Sequence, residues 1–86
     1  KKDNQINTSI KLPLTISIDS KNYKNIIRLE EALDNIDFIS DFYIINFNSR
    51  NIKYKIIYNG SPNFFLNDMS KNNFDLKMEN NVWKIK

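Results

Sequence analysis

The run from Asn51 to Tyr58 constrains the fold of this 86-residue chain more than any other segment, because its side chains alternate strictly between two sets. One set contains Ile52, Tyr54, Ile56 and Tyr58, and the other contains Asn51, Lys53, Lys55 and Ile57. Successive side chains of a β-strand point to opposite faces of its sheet, so the pattern predicts a strand with one buried face and one lysine-bearing face. The chain must therefore build a sheet that is covered on a single side.

A second alternating run near the start of the chain predicts another half-buried strand. Leu12, Leu14, Ile16 and Ile18 share one face of it, and Pro13, Thr15 and Ser17 share the other. Proline lacks an N–H group and is tolerated near the start of a strand. Residues 1–9 are polar and carry no such pattern, so we expect a flexible arm or linker there, followed by a single domain at residues 10–86.

Two segments have the apolar periodicity of helices. The first is predicted at about residues 20–35, with Asp19 or Ser20 as its N-cap. The second opens at Gly60-Ser61-Pro62, where a serine can cap the helix and a proline can take its first position, and it closes at Asn72-Asn73. Phe64, Phe65, Leu66 and Met69 are its apolar residues.

Two further segments complete the predicted sheet. The run 42–47 is apolar almost throughout, which leaves its inward face ambiguous, and we expect Tyr43, Ile45 and Phe47 to point inward. The tail alternates through Phe74, Leu76 and Met78, turns at Glu79-Asn80-Asn81 and returns through residues 82–85. This pattern predicts a closing hairpin. Trp83, in the returning strand, is expected to plug one end of the core.

The order strand, helix, strand, strand, helix, strand predicts an α+β fold of the ferredoxin-like βαββαβ type, a two-layer sandwich. In that arrangement the sheet is antiparallel and both helices cover one face. The last strand is either a single strand or one arm of the hairpin. Because connectivity alone does not fix strand pairing, a roll with another strand order stays open.

Composition excludes most familiar enzyme chemistry. The chain has no Cys and no His, which removes disulfides, thiol nucleophiles, imidazole bases and ordinary zinc sites. No stretch reaches the length of about eighteen apolar residues that a membrane-spanning helix needs. We therefore expect no catalytic residue, no metal site, no cofactor and no membrane span.

The net charge of +3 raises the question of a nucleic-acid partner. Of the 13 basic residues only Arg28 and Arg50 are arginine, the residue that pairs best with phosphate and guanine. Lys53 and Lys55 are weak surface-binding candidates on the open sheet face. The predicted strand, however, turns its tyrosines toward the helices and leaves no ring for a base to stack on. The pattern disfavours nucleic acid and favours a solvated or domain-covered lysine face.

Two other polar groups are candidate sites. Gly60, Ser61 and Asn63 surround a helix start whose free N–H groups could hold an anion or another small ligand. A lone glycine beside a serine cap is nevertheless ordinary helix-start chemistry, without the repeated glycines and lysine of a phosphate loop. Glu30, Glu31, Asp34 and Asp37 lie within two turns of the first predicted helix, with no histidine beside them. This spacing favours a solvated helix face.

Several packing positions together resemble a known family. Leu12-Pro13-Leu14 opens the first strand, Tyr23, Ile27, Leu33 and Ile36 follow in the helix, Tyr58-Asn59-Gly60 precedes Leu66, and Phe74, Leu76 and Trp83 come last. This set resembles the C-terminal part of a family of uncharacterised bacterial secreted or envelope proteins, known as a domain of unknown function. The resemblance implies a module of a longer protein in the periplasm or cell envelope, which agrees with a chain that begins with Lys.

The leading hypothesis is a non-enzymatic interaction or scaffolding module. Its expected partner is protein, either other domains of a parent chain or a separate envelope protein. The first alternative is a small-ligand-binding regulatory domain, in which two copies pair as a homodimer and form the site between them. The second alternative is single-stranded nucleic-acid binding on the open sheet face.

Overall fold

The computed structural model describes residues 11–85, which form two helices and one five-stranded sheet. The predicted arm at residues 1–9 lies outside the described residues. In chain order the elements are β1 (Lys11–Asp19), α1 (Tyr23–Asn35), β2 (Ile39–Phe47), β3 (Asn51–Asn59), α2 (Pro62–Lys71), β4 (Leu76–Glu79) and β5 (Val82–Ile85). The predicted α+β class and the closing hairpin are both confirmed.

The sheet is mixed, with the strand order β2-β3-β1-β5-β4. Strand β3 is antiparallel to both β1 and β2, whereas β5 runs parallel to β1, with Ile16 opposite Trp83. The all-antiparallel sheet of the ferredoxin-like prediction is therefore not what the structure has. The closing hairpin inserts its second strand, and not its first, next to β1, and the reversal at the turn makes that contact parallel.

Side-chain chemistry explains which arm of the hairpin lies inside the sheet. Strand β5 carries Val82, Trp83 and Ile85, and the last two pack against the core. Strand β4 alternates Lys77 and Glu79 with apolar residues and lies at the edge. Charged side chains are typical of a strand that has no neighbour on one side. Trp83 is half-buried against the core, as the predicted plug requires.

Both helices cover the same face of the sheet, as predicted. The side chains of β3 confirm the predicted parity, since Tyr54 and Tyr58 are 1% and 0% exposed. Both belong to a core that also contains Leu29 and Leu33 of α1 and Phe65 of α2. The opposite face of the sheet has no helix over it within residues 11–85, and Lys53 and Lys55 are half-buried there.

The predicted orientation of β2 is wrong. Tyr43 lies opposite Lys55, and facing residues of adjacent strands share a face, so Tyr43 belongs to the open side of the sheet. A β-bulge between Ile44 and Asn46 leaves Ile45 without a partner on β3. After this bulge, Phe47 lies in register with Ile52 on the helix side but remains exposed. No alternation of residue types could reveal the bulge, because the segment is apolar at almost every position.

The helix ends follow local hydrogen bonds. Helix α1 begins later than predicted, because its N-cap is Asn22, whose side chain accepts from the N–H of Asn25 at 3.2 Å, and neither Asp19 nor Ser20 fills that role. The predicted cap of α2 is confirmed in Ser61. After α2, Asn73 has φ 67°, the left-handed conformation predicted for the end of this helix.

Candidate interaction surface

The corner at Gly60, Ser61 and Asn63 has a structural explanation. The Ser61 hydroxyl accepts a hydrogen bond from the N–H of Phe64 at 3.4 Å and so caps α2. Gly60 packs against the ring of Tyr58, where an added Cβ would lie 2.8 Å from the ring atom Cε2. A larger residue there would have to displace the buried ring of Tyr58, which favours glycine. Asn63 is exposed in the first turn of α2.

The open face of the sheet carries lysines whose charge is partly neutralised. Lys53 lies opposite Ser17, which lies opposite Lys84, which lies opposite Lys77. Glu79 contacts two of these lysines, with Oε–Nζ distances of 3.0 Å to Lys84 and 3.7 Å to Lys77. The hydrogen bond and charge of Lys84, and then those of Lys77, hold the pKa of the Glu79 carboxyl below its ordinary value. The face is thus a mixed-charge surface.

The two buried tyrosines of β3 each donate a hydrogen bond to a carboxylate on a helix. The hydroxyl of Tyr54 donates to Glu30 of α1 at 2.5 Å, and that of Tyr58 donates to Asp68 of α2 at 2.7 Å. Burial raises the pKa of both Tyr54 and Tyr58, and the carboxylate that each hydroxyl faces raises it further. The two bonds tie both helices to the central part of the sheet.

Sequence reasoning missed these tyrosine–carboxylate contacts. It interpreted Glu30 as part of a solvated face, and it gave Asp68 no role. A signal was present, because an inward-facing tyrosine needs a polar partner for its hydroxyl, and acidic residues flank the apolar stripe of each helix. The contacts stabilise the fold by holding each helix against β3.

Within residues 11–85, no group of three acidic side chains is placed to hold a metal ion. In the same part of the chain, both helices are too short and too polar to span a lipid bilayer. Lys53 and Lys55, the surface-binding candidates, lie on the open face beside Tyr43 of β2. Tyr43 lies opposite Lys55, and Asn46 lies opposite Lys53, so the open face carries one aromatic ring of β2 that the sequence analysis did not place there.

The most unusual surface of the described chain is the outer edge of β2. This strand has nine residues and is the first in the sheet order, so only β3 pairs with it. Tyr43, Ile44, Ile45 and Phe47 are exposed over 48%, 49%, 48% and 68% of their surface. An edge strand offers a row of N–H and C=O groups to another strand, and natural proteins usually protect such edges with charge or brevity. Strand β2 carries one charged residue, Asp41.

The other edge of the sheet is protected in both of those ways. Strand β4 has only four residues, and two of them are Lys77 and Glu79. Its exposed apolar residue is Met78, with 46% of its surface accessible. A short, charged strand is a poor template for a further strand. The two edges of one sheet therefore differ in length, charge and apolar exposure.

Helix α1 extends the apolar character of the β2 edge. Its exposed residues Tyr23 and Ile27 are separated by four positions and so share one side of the helix. Tyr23 lines a depression together with Phe47 and Asn48, which places this side of α1 next to the end of β2. At the other end of α1, Asp34 lines a second depression with residues 39–42. The helix thus runs beside β2 and forms a shallow groove along its edge, which we call the β2 groove.

The β2 groove has opposite charges at its two ends. Lys21 lines the depression near Phe47, and the backbone of Arg50 accepts a hydrogen bond from Ser20 N–H at 3.1 Å, which holds this loop at the same end. Asp34 and Asp41 line the depression at the opposite end.

No family model, curated protein or solved structure matches the chain, so the function of this surface depends on its own geometry.

Proposed function

We propose that this chain is a non-enzymatic protein-interaction module and that the edge of β2 is its docking element. The observation that carries the proposal is a nine-residue edge strand with four half-exposed or exposed apolar side chains between residues 43 and 47. A strand added to this edge would satisfy backbone groups that now face solvent. It would also cover apolar surface on both faces of β2.

The groove beside the edge supports addition of a strand over contact with a flat surface. Tyr43 lies on the open side of the sheet, whereas Ile44 and Phe47 lie in register with inward-facing residues of β3 on the helix side. An added strand would therefore meet apolar side chains on both of its own faces. Main-chain hydrogen bonds supply affinity in this mode of recognition, and pockets for alternate side chains supply specificity.

The partners of the carboxylates in the described part of the chain support the proposal that the module is not an enzyme. The carboxylates paired with another side chain are Glu30, Asp68 and Glu79, and those side chains are tyrosines or lysines. Two of these pairs tie helices to the sheet, and the third lies on an open surface. A general acid or base needs a cleft and a substrate-facing position.

A peptide-display selection against the immobilised chain tests the proposal. We expect random peptides that bind to be extended and rich in β-branched and aromatic residues. When added to isotope-labelled chain, they should shift the amide resonances of β2 and α1. Ile44→Lys should abolish binding, because it places a charge on the docking edge. Met78→Lys is the matched control, since it changes a comparably exposed apolar residue on the other edge strand.

Two results would contradict the proposal. One is a set of peptides whose resonance shifts map to Lys53 and Lys55 on the open face. The other is equal binding by the Ile44→Lys and Met78→Lys chains. Affinity for single-stranded nucleic acid that falls steeply with salt would instead favour the lysine face as the functional surface. From the family resemblance, we further propose that the module belongs to a bacterial envelope protein.

A further inference from the structure

We propose that the partner of the β2 groove is a second copy of this chain, bound through an antiparallel β2–β2 contact about a two-fold axis. This inference rests on the proposed function, because it names the occupant of the same docking edge. A two-fold contact uses the same patch on both copies, so the patch must be complementary to itself. Three properties of β2 and α1 meet that requirement.

The first property is the order of residue types along β2. Residues 42–47 are Phe42, Tyr43, Ile44, Ile45, Asn46 and Phe47. Antiparallel pairing centred between Ile44 and Ile45 places Phe42 opposite Phe47 of the second copy. The same register places Tyr43 opposite Asn46 and each Ile44 opposite an Ile45. The Phe42–Phe47 and Ile44–Ile45 pairs then bring apolar side chains together, and directly opposed aromatic and β-branched pairs stabilise a sheet.

The second property is the bulge at Ile45, which makes the faces of the strand match as well. In a regular strand, residues five apart, such as Phe42 and Phe47, point to opposite faces. In β2 the extra residue between Ile44 and Asn46 turns Phe47 to the same face as Phe42. Phe42 lies opposite Ile56 and Phe47 lies opposite Ile52, both on the helix side. Tyr43 and Asn46 lie opposite Lys55 and Lys53 on the open side. The faces therefore have the same order in either chain direction.

The third property is the polarity of the β2 groove. An antiparallel contact brings the Phe47 end of one copy to the Phe42 end of the other. The cationic residues Lys21 and Arg50 then approach Asp34 and Asp41 of the second copy, and the two-fold axis repeats this contact. Pairing with opposite charges at both ends favours this register and disfavours a parallel alignment of two copies, which would bring like charges together.

The remaining edge explains why such pairing would end at two copies. In the paired form both β2 edges are used, and the free edges of the ten-stranded sheet are the two β4 strands. These strands are short and carry Lys77 and Glu79. Because they resist further strand addition, the assembly is closed and does not grow into a fibre.

Sedimentation equilibrium over a concentration series up to about 1 mM tests the inference. We expect a reversible dimer, and we expect Ile44→Lys to raise its dissociation constant by at least about 100-fold, as the loss of a central contact can. Met78→Lys should leave the constant within about threefold of the original value, which is typical of a substitution outside the contact. A chain that stays monomeric throughout the series would overturn the inference.

A charge exchange tests the register. The pair of changes Lys21→Glu and Arg50→Glu makes both ends of the groove acidic, and the pair Asp34→Lys and Asp41→Lys makes both ends basic. Each double variant alone should dimerise about tenfold more weakly, which is the scale of a few surface ion pairs. A mixture of the two should regain the original affinity as a heterodimer. Weakened self-association without recovery on mixing would contradict the two-fold register.

The outcomes separate the inference from the function on which it rests. If the chain remains monomeric but still binds display-selected peptides at β2, then the docking edge is real and the second copy is not its occupant. If neither copies nor peptides bind at β2, the proposed function itself fails. Far-ultraviolet circular dichroism of every variant should show that the fold is retained, as expected for changes at exposed positions.

Discussion

Strands β2 and β3 are neighbours of equal length, yet apolar residues that are buried in β3 are exposed in β2. Both have nine residues and both are rich in Ile and aromatic side chains. In β3 every second side chain from Ile52 to Tyr58 is buried, whereas no residue of β2 is fully buried. Strand β3 lies between two strands and under both helices, and β2 lies at the edge. Position in the sheet, and not hydrophobicity, determines what each apolar residue contributes.

The largest contrast should come from truncating one isoleucine in each strand. Ile56 is fully buried, so Ile56→Ala should lower the free energy of unfolding by about 3 to 4 kcal/mol, the cost of a cavity in a small core. Ile45→Ala should cost less than about 1 kcal/mol in the monomer, because half of Ile45 is already in solvent. Urea denaturation at low protein concentration measures both. Equal losses would show that β2 is buried in solution.

A smaller contrast should separate the tyrosines of the two strands. Tyr54→Phe removes the hydroxyl that donates to Glu30 and should cost about 1 to 2 kcal/mol, as expected for a hydrogen bond to a charged group. Tyr43→Phe is the control, since that half-exposed hydroxyl lies on the open side of β2, and its removal should change stability by less than about 0.5 kcal/mol. The same denaturation assay compares them. Indistinguishable variants would show that the Tyr54 bond contributes nothing.

The tyrosines should also set the response to alkali. Unfolded tyrosine has a pKa near 10, and in the folded chain the pKa of Tyr54 and Tyr58 is higher because of burial and the facing carboxylates. Above about pH 10 the unfolded chain therefore binds fewer protons than the folded chain, and stability falls as pH rises. Below that pH the contribution is fully present.

A pH series of urea midpoints from about pH 8 to about pH 11 measures this effect. The double variant Tyr54→Phe, Tyr58→Phe should lose less stability over the series than the original chain. Tyr43→Phe should follow the original chain, and the lysines are common to all three proteins. Parallel curves for the double variant and the original chain would show that the two hydroxyls do not govern the decline.

The smallest effect is expected on the lysine face of β3. The double change Lys53→Ser and Lys55→Ser should alter stability by less than about 0.5 kcal/mol, since both ammonium groups lie on an open surface. It should also leave peptide binding at β2 unchanged. Denaturation and the peptide titration measure the two quantities. A loss of peptide affinity would transfer the docking role from the edge of β2 to the open face.

The sequence predicts β3 well because alternating residue types encode both the strand and its buried side. It predicts β2 poorly because six consecutive residues, 42–47, contain only Asn46 as a polar member. A register that depends on a bulge leaves no trace in such a run. The sequence also does not show which arm of the closing hairpin joins β1, because that choice depends on packing between segments far apart in the chain.

Helix positions were predictable within a few residues, and the contacts between the helices and the sheet were not. The Ser61 cap follows from residue type. The N-cap of α1 is Asn22 and not the predicted Asp19 or Ser20, because all three residue types cap helices well. The β2 groove also could not be predicted from the sequence. It requires knowing that β2 lies at an edge and that Tyr23 of α1 lies beside Phe47.

The placement of Trp83 has a practical consequence. It is the one tryptophan of the chain, it is half-buried in β5, and β1 and β3 separate it from β2. Its fluorescence emission will respond when the core opens but will be nearly silent when anything joins the far side of the sheet. The protein thus contains an internal optical reporter of unfolding that can be recorded while association is followed by another method.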